Sequence, residues 1–156
     1  MTVINRKAVI STIIYQTIVV IKKMFVLVVW NVLRDRPGTD VSFPQDGPNN
    51  GSGIVRTGPD SFNLTQIGTY QILFQVSVTE AGQLILTLNG EDLAYTVIGR
   101  ATGTSQIVGI AIVTTTTTNS ILTVRNPAGN AAALTITPLA GGTRPVSAHL
   151  VITQIS

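Results

Sequence analysis

A single histidine, His149, stands in a chain of 156 residues that holds no cysteine. Zinc asks for three or four N, S or O ligands, and one imidazole without thiols does not supply them. A serine-hydrolase triad needs a base beside a nucleophile, and no G-x-S-x-G turn accompanies this histidine. His149 therefore reads as a polar residue on an assembly face or at solvent. Were a closed ring to bring three copies of it together, stability would become sensitive to pH near the unperturbed imidazole value of about 6.5.

The carboxylates are the next candidates for chemistry. Glu91 and Asp92 are adjacent in an extended segment, so they face opposite sides and do not share one proton or one sugar. Asp40, Asp46 and Asp60 fall in loop sequence with Asn49 and Asn50. Loop oxygens of this kind can hold Ca²⁺, yet their spacing matches no EF-hand and turn duty accounts for each. The glycine-rich stretches Gly99–Gly103 and Ala140–Gly142 lack the following lysine and helix of a phosphate loop. Asn50-Gly-Ser52 and Asn63-Leu-Thr65 are glycosylation-type triplets, and Thr114–Thr118 is either a solvated edge or a place for O-linked sugar. No catalytic set, metal site or cofactor site is expected.

What positions these residues is a series of short strands. In Gly68–Val78, Tyr70, Ile72, Phe74, Val76 and Val78 share one face, while Gln71, Gln75 and Ser77 share the other with Leu73. A period of two is the mark of a half-buried antiparallel strand. Further strands are expected near 41–43, 54–56, 61–64, 83–88, 92–98, 106–113, 120–125, 133–137 and 147–155. Gly, Pro and Asn clusters separate them. Asn89-Gly90 is the chemistry of a type I′ hairpin, which needs positive φ at both central residues. Some ten strands punctuated every 8–12 residues mean a sandwich or a barrel.

Charge divides the chain in two. Residues 1–36 hold six basic side chains against Asp35 alone, a net of +5; residues 37–156 hold four arginines against six carboxylates, a net of −2. The leader alternates apolar runs with basic pairs: Arg6-Lys7, then Ala8–Ile21, then Lys22-Lys23, then Met24–Leu33. It is a membrane or export segment, an extra ordered element packed on the domain, or an upstream extension foreign to it. Each apolar run is shorter than the roughly 20 residues a spanning helix needs. The remainder, 37–156, is one domain without the basic stripe of a nucleic-acid binder.

Two strands carry apolar residues on both faces. In Ile107–Val113, Val108, Ile110 and Ile112 point one way, and Ile107, Ala111 and Val113 the other; near the C-terminus Ala148, Leu150 and Ile152 oppose His149 and Val151. One face of a sandwich strand is covered by the core, so the second needs cover from another subunit or from the leader. Charged residues are only 11% of the chain, about half the usual share, which favours assembly.

Gly68-Thr-Tyr-Gln-Ile72, Leu86-Thr-Leu-Asn-Gly90, Leu122-Thr-Val-Arg-Asn126, Ala131-Ala-Ala-Leu-Thr135, Pro138-Leu-Ala-Gly-Gly-Thr143 and Ser147-Ala-His-Leu-Val-Ile152 occur in that order. Together they resemble the C-terminal domain of BclA-type collagen-like exosporium glycoproteins, which is similar to the C1q/tumour-necrosis-factor superfamily. The resemblance spans about residues 41–156. It implies an all-β jelly roll of about ten antiparallel strands, with residues 1–36 as a separate apolar segment and 37–156 as a trimerisation domain. It implies a non-enzymatic homotrimer on the spore surface or another bacterial extracellular surface, acting as an exosporium hair or filament-tip head. Other exosporium or spore-appendage proteins are the implied further partners. Mapping the family's C, F and H strands gives Leu73, Gln75, Ile110, Ile112, His149 and Val151 as the trimer-facing residues. Members carry a Gly-X-Y stalk, and this chain has no such repeat. The alternative function is a carbohydrate- or receptor-binding, lectin-like adhesion head taking a glycan or host-surface ligand.

Overall fold

The computed structural model describes residues 23–26, 33–137, 141–143 and 147–156. The described residues form twelve strands and one short 3₁₀ turn. In chain order the strands are β1 (Lys23–Val26), β2 (Leu33–Asp35), β3 (Ile54–Arg56), β4 (Phe62–Leu64), β5 (Gly68–Val78) and β6 (Gly82–Leu88). They continue with β7 (Glu91–Asp92), β8 (Ile98–Arg100), β9 (Ser105–Thr115), β10 (Ser120–Arg125), β11 (Leu134–Ile136) and β12 (Ala148–Gln154). One six-stranded sheet joins β1, β12, β5, β11 and β2, with β9 on the free side of β5; the second joins β3, β4, β10, β6 and β7, with β8 also on β6. Every pairing is antiparallel. Two facing sheets of this kind are the expected all-β jelly-roll sandwich.

Alternation builds the core. All five residues assigned to the inner face of β5, Tyr70, Ile72, Phe74, Val76 and Val78, are buried. They meet Leu84 and Leu86 of β6, Leu122 and Val124 of β10, and Leu150 and Ile152 of β12 in one continuous cluster. Asn89 and Gly90 take φ of 53° and 87° between β6 and β7, as the I′ turn requires.

Two strand expectations need correction. Residues 92–98 are not a strand: the chain leaves β7 for a 3₁₀ turn at Ala94–Thr96 and resumes pairing only at β8. Thr96 causes the break. Its Oγ1 donates to Leu93 O at 2.7 Å and accepts the Leu86 N–H at 2.9 Å, replacing a strand partner for β6 with a side chain. Residues 41–43 likewise form no strand. Asp40 makes one bridge to Arg125, and Val41 and Phe43 then enter the core with N–H groups donated to Val124 O and Pro59 O at 2.7 and 2.5 Å.

The leader contributes to the sheet. Lys23–Val26 pairs with Ile152–His149 along β12, and Leu33–Asp35 pairs with Ile136–Leu134 of β11. Four and three residues of the segment 1–36 thus belong to the first sheet, while the basic-apolar run 1–22 lies outside the described residues.

Candidate functional site

The longest ladder among the described residues sets the geometry of the outer face. β5 and β9 pair over eleven residues, from Gly68↔Thr115 to Val78↔Ser105, and β12 lies on the other side of β5 from Ala148↔Val76 to Gln154↔Tyr70. Register places side chains in rows across the three strands, because residues opposite each other point to the same side. One row is Ile110–Leu73–Val151, the next Val108–Gln75–His149, and the third Ile112–Gln71–Thr153. All six residues derived from the family mapping, Leu73, Gln75, Ile110, Ile112, His149 and Val151, therefore stand together on one continuous surface.

That surface is apolar and open. Ile110 is 62% exposed, Ile112 49%, Val108 48% and Leu73 37%, whereas Gln75, His149 and Val151 are half-buried. The outward positions of β5, β9 and β12 include no Asp, Glu, Lys or Arg. A contiguous apolar patch without charge is characteristic of a surface made for contact rather than for water.

Two residues outside the family mapping extend it. Val108 follows from the same alternation that marks Ile110 and Ile112. Tyr95 follows from no local pattern: the 3₁₀ turn swings it to the free edge of β9, where its Oη donates to Ile112 O at 3.2 Å and its ring remains 68% exposed. Finding it required the break at Thr96.

The acidic candidates do not converge. Asp40 Oδ1 accepts from Arg125 Nε and from Thr123 Oγ1, each at 2.8 Å, and Arg125 Nη1 lies 3.6 Å from Asp92. The paired Asp40 carboxylate holds the Arg125 guanidinium above its ordinary pKa. Asp46 pairs with Arg56 at 2.9 Å, and Asp60 Oδ1 accepts the Ser61 hydroxyl at 2.6 Å. Each is spent on a turn or on tying the 38–46 arm to the second sheet. Among the described residues no three His, Asp or Glu side chains gather as a metal site. Glu91 is exposed on β7. Asn63 belongs to β4 and donates Nδ2 to Asn119 Oδ1 at 3.1 Å, while its Oδ1 has no partner among the described residues.

One carboxyl that sequence reasoning left aside is perturbed. Asp35 ends β2 with its side chain buried and Oδ2 without a partner. Loss of water, with the Asp40 and Asp60 carboxylates nearby, pushes it up to about 7. Glu80 is shifted the other way. Desolvation raises it, but hydrogen bonds from the Thr135 N–H and hydroxyl, both at 2.6 Å, together with those from Thr79 and its own backbone, hold it below the usual range.

No protein-family model matches the chain, and no curated protein matches it in sequence. Solved structures do match. The globular domain of zebrafish complement 1qA protein superposes with a TM-score of 0.62 at 14% identity, over 86% of this chain and 98% of that one. Murine APRIL at pH 5.0 superposes with a TM-score of 0.58 at 18% identity, over 85% of this chain and 98% of that one. At these identities the likeness is one of fold: the chain has the C1q/tumour-necrosis-factor jelly roll.

Proposed function

We propose that this chain is a non-enzymatic, self-assembling surface head, in which three copies close around the outer faces of β5, β9 and β12. One observation carries the reading: Leu73, Val108, Ile110 and Ile112 lie exposed in register on a face whose β5, β9 and β12 positions hold no Asp, Glu, Lys or Arg. Covering such a face stabilises association by roughly 25 cal/mol per Å² of apolar area removed from water. A second copy offers a match without new chemistry, and cyclic closure leaves none of the patch wet.

Resemblance of the strand motifs to the C-terminal domain of BclA-type exosporium glycoproteins supports the finer assignment, and the jelly-roll fold agrees with it. On that assignment the head sits on the spore exosporium or a filament tip, next to other exosporium or appendage proteins. Residues 1–22 and the strands that follow them would then be its connection to the rest of the assembly.

Light scattering on the full chain tests the core of this reading. Three protomers per particle are expected at micromolar concentration. A stable single protomer refutes it. Labelling intact spores with an antibody to the chain tests the location separately.

A further inference from the structure

A second surface, away from the apolar face, has the makings of a binding site. The β5–β6 turn, β8 and the loop after β10 enclose an open cleft of about 580 Å³ lined by residues that include Ala81, Gln83, Gly99, Arg100, Asn130 and Ala131. None of these belongs to the outward positions of β5, β9 or β12, so the cleft does not depend on assembly.

Arg100 is what sets the cleft apart. Its Nη2 donates to Val78 O at 3.2 Å and Glu80 O at 2.6 Å. Its Nε and Nη1 are out of contact with water and have no acceptor among the described residues. A guanidinium carries five N–H donors, and burying any of them unmet is costly. Arg56 and Arg125 each have a carboxylate beside them; Arg100 has none among the described residues. Glu80, the acidic residue whose backbone Arg100 touches, lends it only the carbonyl while both its side-chain oxygens are held by Thr135. The protein keeps a half-buried guanidinium with two covered, unmet nitrogens at the wall of a cleft and commits the Glu80 carboxylate elsewhere.

The remaining lining suits a ring with hydroxyl groups. Alanine and glycine leave a low, featureless floor. Asn130 is held in place, its Nδ2 donating to Asn126 Oδ1 at 2.5 Å and to Gln83 O at 3.1 Å. Its own Oδ1 is left to accept, and the exposed Gln83 amide can both donate and accept. We infer that this cleft binds a carboxylate-bearing sugar, a hexuronate unit, with the carboxylate on Arg100 and ring hydroxyls on Asn130 and Gln83. A ligand carboxylate that reaches Arg100 gives its unmet N–H groups a charge-assisted acceptor.

Titration of the full chain with glucuronate, glucose and acetate at constant ionic strength, followed by amide chemical shifts, tests the assignment. Saturable shifts at 81–83, 99–101 and 130–132 are expected with glucuronate, at an affinity at least ten-fold above glucose and acetate. Arg100→Gln removes the cation, and Ala131→Leu fills the cleft from an exposed position that folding tolerates. Each should weaken glucuronate at least ten-fold, and Arg100→Lys should recover only part of the loss because an ammonium lacks the planar fork. No saturable shift with glucuronate, or unchanged binding in Ala131→Leu, overturns the site. Equal affinity for acetate overturns the sugar and leaves only an anion.

Discussion

Gly109 of β9 stands opposite Phe74 of β5, and the Phe74 ring occupies the place where a side chain on Gly109 would project. The glycine is therefore demanded by packing and not by a turn. It leaves room for the Phe74 ring beneath β9, so that β9 can hold its register and show Val108 and Ile110 to the outside. A hydrogen atom at one position thus underwrites the surface on which the proposed assembly depends.

Gly109→Ala tests this dependence. The added methyl group meets the ring from inside the allowed contact distance, and overpacking of this sort costs about 1–3 kcal/mol. Urea unfolding of the variant should show that loss, and Phe74→Leu should recover part of it in the double variant. Unaltered stability would mean that the ring moves aside without strain.

Ile110→Asp separates folding from assembly. Ile110 is the most exposed of the four aliphatic residues on the outer face, so a carboxylate there is solvated in one protomer but stranded once a neighbour covers it. Far-UV circular dichroism should be unchanged while the particle mass falls to one protomer. Gln66→Asp, at the exposed end before β5, serves as a charge control and should leave the mass as it is.

Asp35 makes stability depend on pH in an unusual direction. Its folded value of about 7 lies above the ordinary 3.8, so between those two pH values the folded chain keeps a proton that the unfolded chain has released. Stability contributed by the neutral acid is fully present below about pH 4 and lost as pH rises through 7. Asp35→Asn removes the dependence. The stability difference between the wild type and this variant should shift by roughly 2–4 kcal/mol against the wild type from pH 4 to pH 8. A difference that stays constant across the range would show that Asp35 is ionised when folded.

The class of fold was legible because the period of two is a local property. Tyr70, Ile72 and Phe74 alternate with polar neighbours whatever surrounds them, and Asn89-Gly90 specifies its turn through its own φ values. Doubly apolar β9 was legible on the same ground, and so was the grouping of Val108, Ile110 and Ile112. The Asp92–Ile98 segment misleads because Thr96 favours strands by propensity, whereas in the molecule its hydroxyl serves the Leu86 N–H from across the sheet.

The amino-acid order by itself determined that this is a two-faced β protein, with more apolar strand surface than one core can absorb. Only the tertiary structure decided which strands lie side by side, because register is a relation between distant segments such as 68–78 and 105–115. It alone joined Leu73 to Ile110 and Val151, delivered Tyr95 to the edge of β9, and drew Lys23–Val26 onto β12. It alone left Arg100 without a carboxylate among the described residues, since that depends on where Glu80 turns its side chain, which no spacing in the sequence encodes.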